Sequence, residues 1–385
     1  MNSLDRRRLL QLLGGVGAAG VTSSLAACVA PTGADDPKSP VRIGLLVPAT
    51  GSNKAIGGDL ENGFRLYLET RNSQLAGHRV ELAVEDEGDA VPQGIEALKK
   101  LHAQDVVAVV GVANPDLLRE ARSLIEEKRI PLLAAHGSSS EMASAVYIWR
   151  TAYLNNEPGR AIGQYLRNRG KTALVGLRGD IGAELIGGFN NDNGGGIGPI
   201  YVPATGSPDK GHLSGAVQDV VGSGAENVFT WLPANYLIPF MQQLPPKIGV
   251  YAPGIVSEGA AVEQLTGARN LFTAMQYSAD LNNAANRAFS SLFQTRYQRS
   301  PTAYAVAAYD AAQVLDSAIA LIVDEAVTAV NVNLKIANVG QVVSPRGNWQ
   351  FTQARAPQQK WYLRQIRMDG PVLSNVLVSE LSTLA

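Results

Sequence analysis

VRIGLLVPATGSNKAIGGDLENGFRLYL, residues 41–68, is the stretch from which the fold can be read. Residues 41–47 form an apolar run of strand length, rich in branched residues and without helical spacing. A Pro-Ala-Thr-Gly turn and a loop of small residues follow. Leu60, Phe64, Tyr67 and Leu68 then fall at i, i+4, i+7 and i+8, one face of an amphipathic helix. Strand, polar loop and helix make the first unit of an open α/β sheet, whose ligands sit beyond the carboxyl ends of the strands. Thr50, Ser52 and Asn53 are therefore the first candidates for ligand contact, against the plainer reading of an exposed connecting loop.

The unit recurs downstream. Residues 80–85 read as a strand running into Asp86-Glu87-Gly88-Asp89, with helical character from 91 to 103. Residues 106–110 are continuously apolar, as a parallel strand covered on both faces should be. They meet Gly111-Val112-Ala113-Asn114-Pro115, after which Leu117, Leu118, Ala121, Leu124 and Ile125 line a helix face. Residues 131–135 form the next strand and break into His136-Gly137-Ser138-Ser139-Ser140-Glu141. Strand and helix alternate closely enough for right-handed crossovers in one parallel sheet. A short strand at 147–151 leads into Tyr153-Leu154-Asn155-Asn156-Glu157-Pro158, the expected first crossing to a second lobe. There the pattern restarts, with strands at 172–177, 227–232, 248–251 and 271–277 and helices at 181–189 and 236–244. A loop is expected at 190–198, long helices at 283–297 and 302–323, and short strands at 348–351 and 361–367.

A chain of 385 residues fits two domains of ordinary size. With 45% hydrophobic and 17% charged residues it is globular in composition. A net charge of −1 and the lack of a basic stripe argue against a nucleic-acid partner. A single cysteine excludes an internal disulfide and a cysteine-based metal site. His78, His102, His136 and His212 are scattered without metal-ligand spacing, and no nucleophile elbow or Walker loop occurs. No catalytic residue, metal or cofactor is therefore expected, and His136 reads as a turn or cleft-wall residue.

The first forty residues carry an address. Arg6, Arg7 and Arg8 precede an uncharged segment, 9–27, that ends Leu25-Ala26-Ala27-Cys28. A basic start, an apolar middle and small residues before a cleavage point make an export signal, 1–27, followed by a tether, 28–40. Asp5-Arg6-Arg7-Arg8-Leu9-Leu10-Gln11 resembles the twin-arginine export motif. Leu-Ala-Ala-Cys resembles a bacterial lipobox, which implies acylation of Cys28 and attachment to the membrane. A spanning anchor and a plain secretory signal are the alternatives. Gly15, Gly17 and Gly20 have dinucleotide-fingerprint spacing, but no strand precedes them, so the match is discarded.

Several stretches together resemble the type I solute-binding proteins of ABC importers, in the leucine/isoleucine/valine-binding group. They are the opening turn with Ile56-Gly57-Gly58-Asp59 and Asn62-Gly63, then Glu85 to Asp89, Val110-Gly111 and the serine-rich turn. Val256-Ser257-Glu258-Gly259, Tyr309-Asp310-Ala311-Ala312, Ser344-Pro345-Arg346-Gly347 and Trp361-Tyr362-Leu363 complete the set. The resemblance implies two Rossmann-like α/β lobes joined by a three-crossing hinge, with a ligand cleft between them. Carried onto this chain, lobe one is 41–153 with 280–335 and lobe two 154–279 with 336–385.

The resemblance also implies where a solute would be held. Amino-acid binders in the family take the ligand's carboxylate on two turns of lobe one, matched here by Ala113-Asn114-Pro115 and Gly137-Ser138-Ser139. Asn and Pro stand where a serine is usual, so Asn114 is either a donor to the solute or the cap of the next helix. Glu258 matches the acid that meets a ligand's ammonium, with a solvated loop acid as its plainer reading. Ile181 stands where the family places an aromatic. Tyr153 and Trp231 either wall the ligand or pack the core. The implied function is capture of an amino acid or similar small polar or aromatic-acid solute by a monomer, for delivery to a membrane permease. A ligand sensor for a membrane signalling partner is the alternative.

Overall fold

The computed structural model describes residues 38–204 and 210–384. The export signal, Cys28 and most of the proposed tether lie outside them. Lobe one is built on a sheet of β1 (Val41–Val47), β2 (Gln74–Leu75), β3 (His78–Asp86), β4 (Ala108–Gly111), β5 (Leu132–Ala134) and β6 (Ile148–Arg150), in the order β2-β3-β1-β4-β5-β6. β1 pairs in parallel with β3 and β4, which explains why it is apolar throughout except at Arg42. The helices α1 (Lys54–Thr70), α2 (Val91–His102) and α3 (Pro115–Lys128) connect its strands. Leu60, Phe64, Tyr67 and Leu68 of α1 are all buried, as their spacing predicts.

After β6 the chain crosses over. Helix α4 (Glu157–Leu166) opens lobe two, followed by β7 (Thr172–Gly176), α5 (Asp180–Asn193), β8 (Ile197–Tyr201), α6 (Lys210–Gly222), β9 (Asn227–Thr230), α7 (Ala234–Gln243), β10 (Gly249–Pro253) and β11 (Leu271–Met275). The chain then returns: α8 (Ala284–Tyr297) and α9 (Ala303–Ala320) pack on α1, and α10 (Ala329–Ile336) packs on α9. A third crossing leads to β12 (Gln350–Phe351), β13 (Pro357–Asp369) and β14 (Val372–Leu384). These join the second sheet, whose order is β12-β13-β11-β10-β9-β7-β8 with β14 on β13. Two mainly parallel sheets, each with its helices, form the two-lobed α/β fold.

Three expectations are corrected. The loop expected at 190–198 is occupied by the end of α5, a glycine-rich turn and the start of β8. The tail is a long hairpin, because β14 pairs along β13 from Asp369 back to Gln359. Helices α4, α6 and α10 also form where the sequence reading assigned none.

Helix α9 shows why the lobe-one core is tight. Thr302 caps it, accepting from Ala305 N, and alanines let it bury nearly its whole circumference against α1 and the sheet.

Candidate functional site

The segment after β10 and helix α5 of lobe two both touch lobe one. Glu258, in lobe two after β10, accepts a hydrogen bond from Ala303 N at the start of α9 in lobe one, at 2.7 Å. Arg119 of α3 reaches Asp180 at the start of α5, 3.1 Å away, and Ser140 N donates to Glu184 of α5 at 3.0 Å. The first contact is buried and the other two lie at the exposed rim.

The turn after β4 is electrically closed. Glu87, 1% exposed, accepts from Ala113 N at 2.8 Å and Asn114 N at 2.6 Å. Pro115 has no N–H, and Asn114 Oδ1 accepts from Asp116 N and Leu117 N. Leu118 N bonds Asn114 O, so every donor of this helix start has a partner. Of the two readings of Asn114, its side chain thus acts as the cap. Burial pushes the Glu87 carboxyl up to about 7, against the two N–H groups that favour its charged form.

The turn after β5 is the opposite. Ser138 Oγ is fully buried with no hydrogen-bond partner among the described residues. Its backbone is fixed by Ser138 N donating to Tyr153 O and Asn155 N donating to Ser138 O. His136, 7% exposed, stacks on Tyr304 of α9 with ring centroids 5.3 Å apart and 14° between planes. Neither ring nitrogen makes a well-formed hydrogen bond among the described residues, and only the adjacent Gly137 backbone favours its charged form. Burial holds the imidazole near 4, so it is neutral at physiological pH. Tyr153 is buried over Gly137, where an added Cβ would stand 2.9 Å from its ring, and its edge meets Trp361.

The remaining sequence candidates make contacts of their own. Ser52 N and Oγ both donate to Asp89, which ties the first loop to the segment after β3, and Asn53 precedes α1 without a side-chain cap bond. Ile181 is exposed beside Asp180 at the rim. Trp231 donates Nε1–H to Leu177 O at 2.7 Å and lies across Gly176, where a Cβ would overlap the indole. Glu258 is not a solvated loop acid: it is 7% exposed, and its second oxygen accepts from Arg364 Nη1 at 2.7 Å. Nearby, Asp59 pairs with Arg299 and accepts from Thr302 Oγ1.

Sequence reasoning missed Glu87, Arg364 and Tyr304. Glu87 stood inside a quoted acidic run, but its partners lie 26 and 27 residues away. Arg364 sits 106 residues from Glu258 on β13, and Tyr304 is hidden in an alanine-rich helix. Among the described residues no cluster of three metal-ligating side chains occurs, and no helix is long and apolar enough to cross a membrane.

Two α/β lobes meeting over a hinge, with buried unpaired polar atoms at their strand ends, define a bilobal binding protein. The periplasmic binding protein family model matches residues 40–371, and the chain belongs to that family. Family membership places it outside the cytoplasm. No curated protein matches. Among solved structures, a solute-binding protein of an ABC transporter from R. palustris, in complex with benzoate, is 22% identical. The match covers 90% of this chain and 98% of that one, with a TM-score of 0.77. An ABC transporter substrate-binding protein from Sphaerobacter thermophilus is 19% identical over 89% and 98%, with a TM-score of 0.81. A branched-chain amino acid binding protein from Streptococcus pneumoniae, in complex with isoleucine, is 17% identical over 88% and 99%, with a TM-score of 0.74.

Proposed function

We propose that this chain is the extracytoplasmic receptor of an ABC importer: it closes on a small polar or aromatic solute and hands it, unaltered, to a membrane permease. The observation that carries the reading is the pair of buried, unpartnered groups, Ser138 Oγ and the His136 ring, where the lobes meet. A buried polar atom without a partner costs about 1–3 kcal/mol, a cost that a bound solute would remove. Gly137, Ser138 and Tyr153 would hold the solute from the lobe-one side, with Trp231 and Ile181 nearer the rim. Ala113, Asn114 and Ser52 would border it with groups already engaged. Acylated Cys28 would keep the receptor at the membrane beside its permease.

A thermal-shift panel of amino acids, aromatic acids, amides and polyamines tests the reading. A solute at a hundred times its dissociation constant adds about 2.7 kcal/mol to the folded state, a clear rise in Tm. A complete panel without a shift would count against a receptor role. Membrane fractionation of Cys28→Ala tests the anchor: release into the soluble fraction is expected.

A further inference from the structure

The charges around the cleft pair with one another. An α-amino acid zwitterion needs donors for its carboxylate and an acid for its ammonium. At the α3 turn the backbone donors already hold the Glu87 carboxylate, and the rest are taken by Asn114. Glu258 already holds the Arg364 guanidinium and the Ala303 N–H, one on each oxygen. Arg364 in turn donates to Tyr277 O and is 2% exposed. Asp59 and Arg299 neutralise each other alongside. Arg364 Nε and Asp59 Oδ1 lack a hydrogen bond but belong to groups already held in ion pairs. The side chains left with no charged partner are the Ser138 hydroxyl, which donates and accepts, and the His136 imidazole, with one donor and one acceptor nitrogen.

We infer that the cleft takes an uncharged, hydrogen-bonding solute, such as a primary amide or an alcohol, and that Glu87 and Arg364 fill the places a zwitterion's two charges would need. The inference rests on the receptor reading and narrows its solute class. Displacing Arg364 from Glu258 would leave a buried guanidinium unpaired, and displacing Glu87 would strip a buried carboxyl of both its N–H partners. A zwitterion must therefore disrupt two satisfied sets of contacts to enter. A neutral solute disrupts none and gives Ser138 and His136 the partners they lack. Glu87 is thus a specificity-determining residue that acts by exclusion.

The test compares neutral probes with their charged counterparts: benzamide, benzyl alcohol and 4-methylpentanamide against benzoate and leucine, read by thermal shift on the full chain. Wild-type protein should respond to at least one neutral probe and to neither charged one. A response to leucine or benzoate at equal concentration, with none to the neutral set, would overturn the inference while leaving the receptor role standing. Glu87→Ala frees the Ala113 and Asn114 N–H groups, and its affinity for benzoate should rise at least tenfold over wild type. No gain in a folded variant would overturn the inference. If that variant does not fold, amide hydrogen exchange of wild type decides. Ala113 and Asn114 should be protected without solute and unchanged by saturating benzoate, and benzoate-dependent protection there would contradict the exclusion.

Discussion

Arg346 at the hinge and Ser138 at the cleft are both buried polar residues, 2% and 0% exposed, and their surroundings treat them differently. Arg346 pairs through Nε with Asp310 of α9 at 3.1 Å and donates from Nη1 to Ala152 O in the first crossing, which leaves its Nη2 without a hydrogen bond among the described residues. Its carbonyl accepts from Tyr362 OH, and the neighbouring Pro345 O accepts from Asn283 Nδ2 in the second crossing. Asp310 also accepts from Ser344 Oγ and Trp349 Nε1. One residue of the third crossing and its neighbour therefore tie all three crossings together. The Ser138 hydroxyl has no such tie among the described residues. Paired groups fix a geometry, and the hinge needs one about which to turn. Unpaired groups keep bonding capacity in reserve, and a cleft needs that for its solute.

If this contrast is right, truncation should have opposite consequences in the two places. Asp310→Ala strands a buried guanidinium and should lower unfolding free energy by about 3–5 kcal/mol in urea titration. A loss under about 1 kcal/mol would remove the hinge role assigned to the pair. Ser138→Ala should leave stability unchanged or raise it by about 1 kcal/mol, while weakening solute binding roughly tenfold. A destabilised variant with full affinity would reverse the contrast. The rim is the mildest case. Arg119→Ala removes exposed pairs with Asp180 and Asp116 and should cost about 0.2–1 kcal/mol, fading with added salt.

How far the chain could be read from sequence follows the same division between local and distant effects. β1 was found to the residue because both its neighbours are parallel strands, and burial on both faces writes a continuous apolar run. α1 was visible because its buried positions keep helical spacing. β8 and β14 were not read, because both are half-exposed strands near the limits of the second sheet and carry polar or glycine interruptions. In the site, the serine-rich turn after β5 was legible, being local. That Glu87 would close one helix start, or Arg364 neutralise Glu258, depends on contacts between distant segments, which local pattern does not encode.

Solute capture as proposed here requires the two lobes to close around the solute in the gap between them. Small-angle X-ray scattering with and without a compound found to raise Tm tests it most directly. The radius of gyration should fall on binding in wild type, and fall less in Ser138→Ala at the same concentration. A compound that binds with full affinity to both proteins and leaves the scattering profile of each unchanged would contradict it.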